Sequence, residues 1–356
     1  MRSIISKARG DARESMADRG CPLRVLGCNE MFPLISETYI YDELEALALG
    51  GAELAWYRDS PSISPMPVPQ TVYTDLEHAI AEFEPDLLFV HWASFAALAL
   101  PRIEATGLPW ALRVHSFDFD PPAIRRLLEH PNCVGAWAFP AHAKQVPGAL
   151  ALPPLFAAAH DPAPPGAARE IVLSASAGLP KKDWDLLLDA FNQLPDVDRR
   201  LIVAITNGHE GIPSELAHQL VALERPPLLQ VNMQREAVIG LMCRAAAVIY
   251  TLVPEKQVAM PMSIVEGLCC GSSVIFPETP DARELAGPHA RGYRTAQDIA
   301  AHVREVLAGG PAIEAERREN IRYGRERFAN PELFARFAEE VFTAVQRWHA
   351  ARGVLV

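Results

Sequence analysis

The sequence predicts an α/β protein of two parallel-sheet domains. Short apolar runs alternate with segments of helical period along the chain, the rhythm of parallel strands joined by helical crossovers. That rhythm breaks once, at PPLFAAAHDPAPPGAARE (153–170), which is rich in Pro and Ala and has little period. At 356 residues the chain is longer than one ordinary core serves.

Each element follows in order. PLRVLGCNE (22–30) is a short apolar run after a proline and reads as a buried strand. In ETYIYDELEALALGGAEL, Ile40, Leu44, Leu47 and Ala48 recur at helical spacing, and Gly50-Gly51 stop the helix. Residues 52–58 suit the next strand, and 59–72, with four prolines, a loop. LEHAIAEFEPDLLFVHW gives a helix, a Pro-Asp turn and a strand over Leu87–His91. A helix near 93–105 and a strand at 110–116 follow, with weaker signals to about 140. Trp92 and Phe95 read as core aromatics, with glycan stacking as the alternative.

After the junction the pattern restarts. EIVLSAS (170–176), RRLIVAI (199–205), PPLLQVNM and AVIYTLV (247–253) read as strands; DWDLLLDAFNQL and REAVIGLMCRA read as helices. MPMSIVEGLCCGSSVIFPETP supplies a further helix and strand. ERFANPELFARFAEEVFTAVQRWHAA is strongly amphipathic, one helix or two. The expected domains are 21–160 and 168–330, preceded by a polar leader (1–20) read as disordered. Two such halves leave a cleft, and in such sheets ligands bind beyond the carboxyl ends of the strands.

Composition removes several classes. There are 33 Lys+Arg against 44 Asp+Glu, a net charge of −11, so nucleic acid is not an expected partner. No apolar run approaches the roughly 18 residues of a membrane span, and no basic amphipathic helix is evident, so membrane association is at most peripheral. The six cysteines form no C-x-x-C pair and no zinc spacing; they read as reduced, buried thiols of a cytoplasmic protein.

Four segments carry candidate chemistry, each with a plainer alternative. Around Met260, Pro261, Met262 and Ser263 a helix begins, and a helix start exposes N–H groups that hold phosphate. Glu266, one turn on, suits a vicinal diol such as a ribose; alternatively Ser263 and Glu266 form an S-x-x-E capping box. In SAGLPKKDWDLLL, small residues around Gly178 let a backbone approach a diphosphate that Lys181 and Lys182 neutralise; alternatively both lysines are solvated. In RVHSFDFD, His115 and Asp118 follow a strand at its carboxyl end, or are loop residues without a role. In FPLISETYI, Ser36, Glu37 and Thr38 lie between the first strand and helix, where Ser36 or Thr38 also suits a simple cap.

Taken in order, these segments resemble glycosyltransferase family 4, retaining enzymes of the GT-B architecture. AMPMSIVEGLCCG is similar to the family's GLPMSLLEAMACG, and SAGLPKKDWDLLLDAF to its GRLVPKKGVDLLLEAF. HSFD is similar to HGSD, and PPLF stands where PPGVD is usual. FPLISETYI resembles the FPxxSETFI of a subgroup tied to exopolysaccharide assembly. The matches run from about residue 23 to 345.

The resemblance implies two Rossmann-like domains facing across a cleft, with a C-terminal helix (331–356) crossing back to the first. It implies that Glu266 holds the nucleotide ribose and Lys182, with Lys181, neutralises the donor diphosphate. Amides of Met260–Ser263 would cradle phosphate, and Gly178 would lie in the donor site. His115 would lie against the donor sugar, Asp118 would support its loop, and Ser36, Glu37 and Thr38 would belong to a loop closing over the acceptor side. The implied substrates are a nucleoside-diphosphate sugar and a glycan, lipid-linked or small-molecule acceptor. No cofactor or metal is implied, and the sequence offers no DxD motif. Two positions depart from the family: Ala177 stands where it has arginine, and Val258 where it has the first of two glutamates. Three functions follow: a glycosyltransferase; a degenerate relative that binds nucleotide or glycan, or supports a partner enzyme; or another enzyme of the same fold, such as a nucleotide-sugar epimerase. A dehydrogenase is disfavoured, since no G-x-G-x-x-G follows the first strand.

Overall fold

The structure is a computed structural model, and it describes residues 22–32, 37–61, 68–115, 119–157, 161–164, 166–167, 169–177, 181–194, 201–206, 218–220, 226–253 and 261–353. The chain forms two compact units. One takes in the first strand, Tyr39–Leu155 and the chain from Asn330; the other is built from Phe156–Ala329.

The first unit is a seven-stranded parallel sheet. Its strands are β1 (Arg24–Asn29), β2 (Glu53–Arg58), β3 (Val72–Tyr73), β4 (Leu87–His91), β5 (Trp110–Val114), β6 (Cys133–Ala138) and β7 (Ala149–Ala151), in spatial order β3-β2-β1-β4-β5-β6-β7. Every residue of β4 and of β5 is buried. Continuous apolar runs of this kind are what a parallel sheet covered on both faces requires. The covering helices are α1 (Thr38–Leu49), α2 (Leu76–Phe83), α3 (Ala93–Thr106), α4 (Pro121–Leu128) and the short α5 (Pro140–Ala143).

The second unit repeats the plan with six parallel strands: β8 (Ile171–Ala177), β9 (Leu201–Thr206), β10 (Leu228–Val231), β11 (Ala245–Ile249), β12 (Ser273–Pro277) and β13 (Arg291–Tyr293), in order β10-β9-β8-β11-β12-β13. Its described helices include α6 (Trp184–Asn192), α7 (Arg235–Arg244), α8 (Met262–Cys269), α9 (Pro280–Ala286), α10 (Ala296–Ala308) and α11 (Pro311–Phe328). In each sheet the chain winds outward from a central strand and then restarts on the other side. The reversal falls between β1 and β4 in the first sheet and between β8 and β11 in the second. At such a switch point the loops leaving two adjacent strands diverge and open a crevice.

The tail resolves into two helices, with Asn330-Pro331 as the break: Asn330 accepts from the amide of Glu332 at 3.0 Å and caps α12 (Pro331–Ala350). The apolar face of α12 carries Leu333, Phe334, Phe337, Val341, Phe342 and Val345, and it packs on the first sheet. Phe337 meets Phe89 and Trp137 edge-on at 5.9 Å, and the Trp137 indole donates to Glu340 at 3.0 Å. Each such buried side chain contributes roughly 1.5–3 kcal/mol.

The GLCCG run ends α8 in a Schellman turn. Gly271 adopts φ +74°; its amide bonds to Leu268 and that of Ser272 to Gly267, both at 3.0 Å. The start of the junction is packed, where its composition predicts little structure. Leu155 and Phe156 are buried, and the Phe156 amide bonds to the carbonyl of Phe328 at 2.9 Å. Among the described residues, no helix is long and apolar enough to cross a membrane.

Candidate functional site

In the second unit the chain leaves β8 and reaches Lys181 and Lys182 before α6 begins at its cap, Asp183. Neither lysine is fully solvated. Lys182 is 8% exposed and Lys181 partly buried. The Lys182 ammonium donates to the Tyr250 hydroxyl at 2.9 Å and lies 4.1 Å from the centre of that ring. Tyr250 is the first residue past β11, so this bond ties together the two loops at the switch point. A backbone bond from Val253 to the Lys181 carbonyl, 3.0 Å, ties them again. Burial, reinforced by the neighbouring charge of Lys181, lowers Lys182 to about 7; burial lowers Lys181 to about 8. Burial also raises the Tyr250 phenol, so it stays a neutral hydrogen-bond partner. Among the described residues Lys182 has no carboxylate partner. Burial disfavours an ammonium whose described partner is one phenol oxygen, and an anion beside it would favour the charged form.

The helix α8 starts from the same edge of the sheet, because it follows β11. Its cap is Pro261, which makes no side-chain cap, and Met262 and Ser263 are its first two residues. The amides at these positions have no intrahelical acceptor. Ser263 therefore does not cap the helix, and the S-x-x-E capping box does not form: Glu266 lies five positions past the cap, not three. Glu266 is 7% exposed, with Oε1 3.8 Å from Nε of Arg235. Arg235 is the first residue of α7, and its guanidinium lies 5.5 Å from the ring centre of Phe156.

In the first unit, His91 ends β4 and His115 directly follows β5. Both are buried, with His91 Nδ1 3.3 Å from His115 Nε2. Three aromatic rings surround His115: Trp92 at 4.3 Å, Tyr39 at 5.1 Å and Phe139 at 6.0 Å between centroids. Trp92 takes a left-handed backbone, φ +74°, which an L-residue adopts only under constraint. Burial, then the charge of Arg113, holds both imidazoles well below the usual histidine range, so both are neutral near pH 7. Arg113 makes a two-pronged ion pair with Glu43 on α1, 2.7–3.0 Å, and also donates to the Leu152 carbonyl at 3.3 Å. Glu43 and Arg113 are both fully buried.

No protein-family model matches the chain, and no curated protein sequence matches it. Solved structures do. HepE of Anabaena, solved in complex with UDP-glucose, has 15% identity and a TM-score of 0.70, with 90% of this chain and 100% of that chain covered. Sucrose-phosphate synthase of Thermosynechococcus elongatus has 14% identity and a TM-score of 0.63, covering 92% and 100%. AviGT4, a glycosyltransferase involved in avilamycin A biosynthesis, has 17% identity and a TM-score of 0.60, covering 93% and 99%.

The chain has the GT-B fold.

Within this GT-B chain, the residues singled out in the sequence fall into two groups. Lys181, Lys182, Pro261, Met262, Ser263 and Glu266 belong to the second unit; the lysines follow β8, and the rest begin or lie within α8. His115 belongs to the first unit. Glu37 is partly buried, and Thr38 is buried as the first residue of α1. Ser36, Asp118, Gly178, Val258 and Met260 lie outside the described residues. Ala177 is the last residue of β8. Sequence reasoning missed Tyr250, Arg235 and His91. Arg235 had a signal: like the two lysines, it is a cation at a helix start, against the helix dipole. His91 had one as well, as a histidine closing a wholly apolar run. Among the described residues, no group of three or more His, Cys, Asp or Glu is arranged to hold a metal ion.

Proposed function

We propose that this protein is a glycosyltransferase that takes a sugar from a nucleoside diphosphate. The observation that carries the proposal is the buried Lys182 ammonium, tied to Tyr250 across the switch point of the second sheet and lacking a carboxylate among the described residues. A diphosphate supplies the missing countercharge. HepE, a full-length structural match, was solved with UDP-glucose, which favours UDP as the first nucleotide to try.

In this reading Lys182 and Lys181 face the diphosphate, the first amides of α8 bind phosphate oxygens, and Glu266 accepts hydrogen bonds from the ribose diol, held in place by Arg235. The bond from sugar C1 to the diphosphate oxygen breaks through an oxocarbenium-like state, and negative charge grows on the leaving group. Fixed cations and amides stabilise that charge most at the transition state. A leaving-phosphate oxygen takes the proton of the acceptor hydroxyl, so no separate base is needed. Transfer with retention, without a metal, in the manner of glycosyltransferase family 4 and its exopolysaccharide-type subgroup, to a glycan, lipid-linked or small-molecule acceptor, completes the proposal. Its support is the motif resemblance together with the fold.

Ala177 favours a second reading. A methyl group ends β8 where the family places an arginine, so a chain that binds donor without turning it over is the alternative. The test is a binding screen of UDP, GDP, ADP and their common sugars, followed by donor hydrolysis and transfer assays, with Lys182→Ala and Glu266→Ala as controls. Binding of one nucleotide, lost in both variants and accompanied by release of free nucleoside diphosphate from the sugar donor, supports the enzyme. Binding without any release supports the second reading. No binding by any nucleotide overturns both.

A further inference from the structure

The histidine pair of the first unit carries an inference of its own. His91 and His115 are both buried and neutral, and a single contact joins them: His91 Nδ1 to His115 Nε2 at 3.3 Å. One nitrogen must donate and the other accept. The remaining ring nitrogen of His91, Nε2, is buried without a hydrogen-bond partner among the described residues. That orphan decides the direction. If His115 donated, His91 would carry its proton on Nε2 and bury an unsatisfied N–H. Orphaned buried N–H groups are the rarer and more costly kind, whereas a bare lone pair is better tolerated.

Arg113 pushes the same way. His91 and Arg113 are register partners on β4 and β5, so their side chains stand on the same face of the sheet. A guanidinium beside His91 favours a lone pair over a further N–H dipole.

We propose that His91 is a positioning residue that donates from Nδ1 to His115 Nε2 and so locks His115 in its Nδ1–H tautomer. The other ring nitrogen of His115, Nδ1, is then a hydrogen-bond donor and not a base. It would select a ligand atom with a lone pair, such as a hydroxyl or carbonyl oxygen. Taken with the proposed function, on which this last step rests, His115 does not abstract the acceptor's proton.

The tautomer is readable without any activity. Long-range proton–nitrogen correlation spectra of the 15N-histidine-labelled full chain near pH 7.5 distinguish pyrrole-type from pyridine-type ring nitrogens. His115 is assigned by its disappearance in His115→Gln. The expected spectrum has His115 Nδ1 pyrrole-type and Nε2 pyridine-type. His91→Asn, whose amide N–H can stand where Nδ1–H stands, keeps that pattern; His91→Leu moves the proton to Nε2. A pyrrole-type Nε2 in the wild-type spectrum overturns the proposal by itself, so the test survives if His91→Leu does not fold. An unchanged tautomer in folded His91→Leu also overturns it. Because the spectra need no substrate, failure of the glycosyltransferase reading would appear separately, as absence of nucleotide binding with the tautomer intact.

Discussion

The Lys182 ammonium donates 2.9 Å to the hydroxyl of Tyr250, and in doing so it bridges the two strands at which the second sheet reverses its order. The phenol fixes where the charge sits but does not neutralise it. Removing the hydroxyl with Tyr250→Phe should therefore weaken UDP binding by roughly 5–10-fold, the worth of one hydrogen bond of about 1–1.5 kcal/mol. Lys182→Ala removes the charge itself and should weaken binding by roughly 10–100-fold. Titration calorimetry of both variants checks the order. A larger loss in Tyr250→Phe than in Lys182→Ala would count against Lys182 as the anion contact.

Under the proposed function, the same burial would make nucleotide binding proton-linked. With Lys182 lowered to about 7 and Lys181 to about 8, both are partly or largely neutral at pH 8 in the free protein. A bound diphosphate would restore the charged form, so protons should be taken up on binding at pH 8 and hardly at all at pH 6. Calorimetry in buffers of different ionisation enthalpy measures that uptake, and Lys182→Ala should lose most of it.

The stability of the free protein follows from the same shift, with its sign worked out. Lys182 has a folded value of about 7 against an ordinary 10.5, so between these the unfolded chain binds more protons and stability rises with pH. The contribution is absent above 10.5 and grows as a penalty as pH falls to 7, by roughly 1.4 kcal/mol per pH unit. The difference in unfolding free energy between wild type and Lys182→Met isolates it. That difference should move in favour of the wild type from pH 7 to 10.

The Glu43–Arg113 pair makes a contrasting prediction. Both side chains are fully buried, so removing one leaves an uncompensated charge in the core. Glu43→Leu should destabilise by about 3–5 kcal/mol, while Glu43→Leu with Arg113→Met should recover most of the loss. Denaturant midpoints of the single and double variants test this; a double variant no better than the single would mean that the salt bridge itself is strongly stabilising.

At Gly271 the backbone sets the limit. It sits at φ +74°, and a Cβ there would come within 2.6 Å of Ile321 on α11. Gly271→Ala combines left-handed strain with a clash and should lower stability by about 1–3 kcal/mol, read as a drop in melting temperature. Gly107, also left-handed but with open space around it, should tolerate alanine better.

Much of the fold was legible because its strands are short apolar runs. The run Leu87–His91 is observed with the same limits as predicted, since Pro85 and Asp86 precede it and a helix follows at once. The strand expected over 247–253 instead covers Ala245–Ile249, because beyond Tyr250 the chain turns to bond Lys181. β13, three residues long, is too short to give a period. The helix start at Met262 was legible in Pro261, but the capping role of Ser263 was not borne out; the serine fits the pattern, and only the backbone geometry decides it. Burial of Lys182 was illegible for a deeper reason. Two lysines before a helix look the same whether solvated or packed, and the residue that Lys182 packs on, Tyr250, is 68 positions away.

The packing of α12 on the first sheet also sets an order of events. The chain leaves the first unit after Leu155, runs through Phe156–Ala329 of the second, and returns at Asn330. On an emerging polypeptide, the surface around Phe89 and Trp137 therefore waits uncovered while some 170 further residues are synthesised, until Phe337 and its neighbours arrive. The unit that begins first is finished last. A nascent chain arrested before Pro331 would present that aromatic face to chaperones, even though the second unit is by then fully translated.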